Sequence, residues 1–129
     1  MLTTNIEKTG GVTVVRCSGR LVRGEAVYAI ENAVMSQKDL RIAVLDLSEV
    51  ETMDAGGLTA LVFLHHWTLS RGIQLKLVDP SPFVLDLMVR TRLDRVFDIS
   101  SFDDAILVLS GYECPHSHHN RQARHALAW

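Results

Sequence analysis

The segment "RIAVLDL", Arg41 to Leu47, constrains this chain more than any other stretch. It is apolar at almost every position and only seven residues long. A strand with one wet face alternates apolar and polar residues. A near-continuous apolar run is the mark of a strand buried on both faces, as in a parallel sheet. The residues just beyond it are equally telling. "LDLSEVETMDAGGLTAL" closes the strand, turns at an acid, passes two glycines and starts a helix. Loops at the carboxyl end of a buried strand are where many α/β proteins carry their function.

The rest of the chain fits around that strand. "VTVVRCSG" is β-branched and ends at glycine, so it reads as a strand. "LTTNIEK" before it reads as an antiparallel partner, with Gly10 and Gly11 as the hairpin turn. From Gly24 to Gln37 the period becomes helical, with Ala26, Ile30, Ala33 and Val34 on one stripe. Leu58, Leu61, Val62, His65 and Leu69 predict a second helix ended by Arg71 and Gly72. "IQLKLVD" alternates and is a strand. "PSPFVLDLMVRTRL" predicts a third helix, with Ser81 as N-cap, Pro82 in first place, and Phe83, Val84, Leu87 and Met88 as its apolar side. "VFDI" is a short last strand. Ser101 then caps a final helix bearing Phe102, Ala105, Ile106 and Leu109, with Asp103 and Asp104 suiting its dipole.

The predicted order is β-β-α-β-α-β-α-β-α. It implies one α/β domain over residues 1–111, with a mostly parallel sheet of four to five strands and about four helices. Residues 112–129, "ECPHSHHNRQARHALAW" with the tyrosine before it, hold four of the six histidines and little periodicity, and read as a flexible tail. The 129 residues suffice for one core and not for two. A net charge of −2 gives no nucleic-acid footprint. No apolar run reaches membrane-spanning length, and the N-terminus lacks a secretory pattern. With two cysteines and no disulfide framework, the expected location is the cytoplasm.

No constellation of residues points to an enzyme. There is no nucleophile elbow, no glycine-rich nucleotide fingerprint and no set of paired acids with a histidine. "DAGG" is too short for a P-loop and lacks its lysine. His65 and His66 are adjacent on a helix, so they point about 100° apart and cannot share one ion; they read as a core-edge and a solvated histidine. Cys17 reads as a buried, inert thiol. In the tail, Cys114, His116, His118, His119 and His125 match no recurring zinc spacing, so neither a metal nor a cofactor is expected. Asp54 has a simple structural reading as cap of the second helix. Gly56 and Gly57 permit a tight turn or the close approach of another backbone.

At this point a family likeness is legible. "VLDLSEVETMDAGGLTALV", then "GIQLKLVDPSPFVLDLMVRTRLDRVFDI", with "GRLVRGEAVYAIENAV" upstream, resembles the STAS domain of bacterial anti-sigma factor antagonists over roughly Asn5 to Leu109. In that family the loop carries Asp-Ser-Ser-Gly or Asp-Ser-Thr-Gly. The first hydroxyl is phosphorylated by an anti-sigma factor with serine-kinase activity, and the phosphate breaks the contact between the two proteins. The resemblance maps the family aspartate to Asp54 and its glycine to Gly57. Ala55 then stands at the phosphoacceptor position and Gly56 at the second hydroxyl position. An acid usual at the start of the first helix is replaced by Val22. Thr52 and Thr59 are the neighbouring hydroxyls, with simpler readings as a loop residue and a helix-surface residue.

The resemblance implies a non-enzymatic binding protein that regulates transcription by docking an anti-sigma factor or another regulatory protein. The expected contact residues are Met53, Asp54, Ala55, Gly56, Gly57 and Thr59, with no phosphoacceptor at 55. STAS domains also serve in transport complexes, including lipid transporters, and as ligand-sensing modules. Neither nucleic acid nor direct membrane insertion is expected, and monomer and dimer both remain open.

Overall fold

The computed structural model describes residues 2–101 and 104. Its elements are β1 (Leu2–Thr9), β2 (Val12–Leu21), α1 (Glu25–Met35), β3 (Ile42–Met53), α2 (Ala55–Ser70), β4 (Gln74–Val78), α3 (Pro82–Arg90), a 3-10 turn (Leu93–Arg95) and β5 (Asp98–Ser100). The strands form one five-stranded sheet in the order β1-β2-β3-β4-β5. β1 and β2 are antiparallel, joined at Gly10 and Gly11, and every later neighbour is parallel. Each parallel connection carries one helix and steps the sheet in the same direction. Right-handed crossovers taken repeatedly in one direction leave their helices on one face.

The core is built on that face. Val15, Cys17, Ala43, Leu45, Leu47, Leu75 and Leu77 point from the sheet into one buried cluster with Ile30 and Val34 of α1, Leu61 and Leu64 of α2, and Val84 and Met88 of α3. Val44 and Val78 are buried on the opposite face beside Val12, Val14 and Ile42. The apolar run of β3 is thus buried at consecutive positions for the expected reason, with Ala43, Val44 and Leu45 all inaccessible.

Four details depart from the sequence expectation. The first is β3, which runs on past Leu47 to Met53. Its pairing with β2 slips twice, between Arg16–Asp46 and Ser18–Glu49 and again between Gly19–Val50 and Arg20–Thr52, each time with one extra residue on β3. Each bulge flips the side-chain alternation. Leu47, Val50 and Met53, spaced by three, therefore all turn inward, and Thr52 is a strand residue and not a loop residue.

The second is the buried face of α2. It consists of Gly57, Ala60, Leu61, Leu64 and Thr68, one position round from the stripe read in the sequence, and Leu69 is 65% exposed. Apolar residues lie on every side of α2, so periodicity does not single out a face. The small Gly57 and Ala60 face the core because they allow the helix to approach closely.

The third is α3, where Val84 and Met88 are buried but Phe83 is exposed. Ser81 sits at the N-cap position without capping. Its hydroxyl donates instead to the Val50 carbonyl at 2.7 Å, tying α3 to the bulged end of β3. The fourth is the last strand, which is Asp98–Ser100, because Val96 closes the 3-10 turn and Phe97 drops into the core. Ser101 does accept the Asp104 N–H at 3.1 Å, as its capping role requires. The rest of the fourth predicted helix and the histidine-bearing segment lie outside the described residues.

Candidate functional site

The bulged extension of β3 delivers Asp54 to the end of the sheet, immediately before α2. Asp54 has extended backbone and is the N-cap of α2. Its Oδ1 accepts the Gly57 N–H at 3.0 Å. The same carboxylate reaches across to the loop between β2 and α1, where the Arg23 N–H lies 3.1 Å from Oδ1 and 3.2 Å from Oδ2. Carboxylates holding backbone N–H groups are favoured in the ionised form. The Gly57 and Arg23 amides accordingly lower the Asp54 pKa below its ordinary 3.8.

The two glycines fit the same seam. A Cβ on Gly56 would lie 2.6 Å from the Arg23 Cβ and 2.9 Å from its Cα. A Cβ on Gly57 would overlap the Leu21 carbonyl oxygen and press on the Met53 side chain. The backbone that approaches these glycines closely is thus the chain's own Leu21–Arg23 segment. α2 can begin hard against the β2–α1 loop only because positions 56 and 57 lack side chains.

Above this seam lies an open groove of about 810 Å³, walled by Arg23, Val27, Tyr28 and Glu31 on one side and Ala55, Gly56 and Thr59 on the other. Tyr28 is 68% exposed. Ala55 is exposed at the first position of α2. The Thr59 hydroxyl donates to the Ala55 carbonyl at 2.7 Å, a bond within the helix.

Of the six residues singled out in the sequence, Ala55, Gly56 and Thr59 line the groove with Asp54 at its base. Met53 and Gly57 are buried and support it from below, so they offer no contact surface. Arg23, Tyr28 and Glu31 were not legible as individual site residues. The glycine pair is the local signal that another segment comes close, but it does not say which segment.

Elsewhere the chemistry is quiet. Cys17 is buried and its thiol pKa is pushed up to about 12 by burial, reinforced by Asp46. His65 is half-buried with its ring 5.7 Å from that of Phe97, and burial, then His66, lowers its pKa. Among the described residues there is no cluster of three or more histidine, cysteine or acidic groups that could hold a metal ion. No helix among them is long and apolar enough to cross a membrane.

The family model for the STAS domain matches residues 3–105, most of the chain and every element just described apart from the first residue of β1. The chain belongs to the STAS domain family. Several solved structures share its fold. An anti-sigma factor antagonist from Mycobacterium paratuberculosis is 28% identical with a TM-score of 0.70, over 84% of this chain and 93% of that one. The unphosphorylated form of the anti-sigma factor antagonist SpoIIAA is 19% identical with a TM-score of 0.72, over 87% of this chain and 100% of the other. The murine anion transporter Slc26a9 is 20% identical with a TM-score of 0.67, over 81% of this chain but only 18% of the transporter. No curated protein matches this STAS chain.

Proposed function

We propose that this STAS protein is a non-enzymatic docking protein of the anti-sigma factor antagonist type. Its partner is an anti-sigma factor with serine-kinase character, or a regulatory protein built like one, and its output is control of transcription. The contact surface is the groove bordered by Ala55, Gly56 and Thr59 of α2 and by Arg23 and Tyr28 at the start of α1. The observation that carries this reading is Ala55, an exposed methyl where the resemblance places the phosphoacceptor, on a loop whose geometry is otherwise built and held.

A phosphoryl group adds about −1.5 to −2 charge where it is attached. Alanine has no oxygen to carry it, so this surface binds without that means of release. Thr59 is a poor substitute acceptor, because its hydroxyl is engaged within the helix. The test is affinity capture from the native host, with the wild-type chain and an Ala55→Arg variant that fills the groove from an exposed position. Recovery of an anti-sigma factor by the first and not by the second supports the reading. Recovery of a permease or transport ATPase instead would favour a second reading, a subunit of a transport complex, which the likeness to Slc26a9 makes worth keeping.

A further inference from the structure

We infer that Asp54 is a positioning residue for the docking groove, a latch that fixes the start of α1 to the start of α2. This deepens the docking reading above and rests on it for its consequence in binding. The carboxylate's hydrogen bonds among the described residues go to backbone amides of the two segments it joins. Oδ1 is shared between the Gly57 and Arg23 amides, and Oδ2 faces the Arg23 amide again. Two residues along, Gly56 has no room for a Cβ beside Arg23, so nothing intervenes between the two loops.

Arg23 and Gly24 form the lip from which Val27, Tyr28 and Glu31 continue the groove wall. α1 has no side chain capping its own N-terminus, since Gly24 holds that position. Its first turn is held on the core side by buried Ala26 and on the groove side by the bond from Arg23 to Asp54. One side chain thus sets the groove's width, although it forms neither wall.

A helix cap and a latch make different predictions for Asp54→Asn. Asparagine caps helices about as well as aspartate, so the Gly57 bond survives. Its one carbonyl oxygen, in the place of Oδ1, keeps Gly57, while the NH2 that replaces Oδ2 meets the Arg23 N–H donor to donor and weakens the hold on Arg23 to the one bond shared at Oδ1. In the free, full-length protein, amide hydrogen exchange followed by NMR should show Arg23 losing protection while Gly57 keeps it. The amide resonances of Gly24 to Tyr28 should move while those from Thr59 to Phe63 stay. In the wild type, the Arg23 and Gly57 amide protons should shift together as acid protonates the carboxylate, with one shared midpoint.

Wild-type protection at Arg23 in Asp54→Asn would overturn the latch. So would changes confined to α2, which would leave Asp54 a helix cap alone. Should the variant not fold, the wild-type titration decides: an Arg23 amide that ignores the Asp54 midpoint removes the bond on which the inference stands. These readouts need no partner, so failure of the latch is distinguishable from failure of the docking reading, which the capture experiment decides.

Discussion

Residue by residue, the loop divides its work cleanly. Asp54 binds backbone on both sides, Gly57 lies beneath, and Ala55 faces outward at the start of α2. Ala55→Ser should therefore restore a phosphorylatable hydroxyl without disturbing the fold. Mass spectrometry after incubation with an anti-sigma kinase and ATP should find phosphate at position 55 in the variant and none there in the wild type. The Asp54 carboxylate also gives stability a pH dependence. Its folded pKa lies below the ordinary 3.8, so its contribution is fully present above that value and is lost as pH falls through the folded pKa. Urea midpoints of wild type and Asp54→Asn should differ most near neutral pH and converge in acid. The aspartate's cap was legible from its place before a helix. Its bond to Arg23 was not, because 31 positions separate the two residues and no local pattern encodes that contact.

Among elements, α2 and the end of β3 carry the most information and were the hardest to read. The extent of β3 was hidden by its bulges, since Leu47, Val50 and Met53 at a spacing of three imitate a helical period. The face of α2 was hidden by its uniform apolarity. By contrast α1, with a single apolar stripe, was read with its four buried residues correct. The observed packing of α2 is directly testable. Leu64 is fully buried, and Leu64→Ala should cost about 2–5 kcal/mol by chemical denaturation. Leu69→Ala, at the exposed end of the stripe that the sequence favoured, should stay within about 0.5 kcal/mol of wild type. Gly57→Ala should destabilise by about 1–3 kcal/mol, because its methyl group meets the Leu21 carbonyl.

At the scale of the molecule, the mostly parallel sheet and the succession of its elements along the chain were legible from one near-continuous apolar strand and the helical periods around it. The groove was not, because it exists only where the β2–α1 and β3–α2 loops meet at one end of the sheet. That meeting is a consequence of β2 and β3 being adjacent parallel strands. Both of their following helices then start at the same edge, which is the usual place for function in an open α/β sheet. On the proposed function this STAS domain docks its partner there, with Ala55 where the resemblance places the phosphoacceptor. The most direct measurement is to hold the wild-type protein in complex with the anti-sigma kinase proposed as its partner, add ATP, and follow both phosphate incorporation and dissociation. A complex that persists, with no phosphate on the STAS chain, is the expected result. Phosphorylation of the wild-type chain at any residue, accompanied by release of the partner, would contradict it.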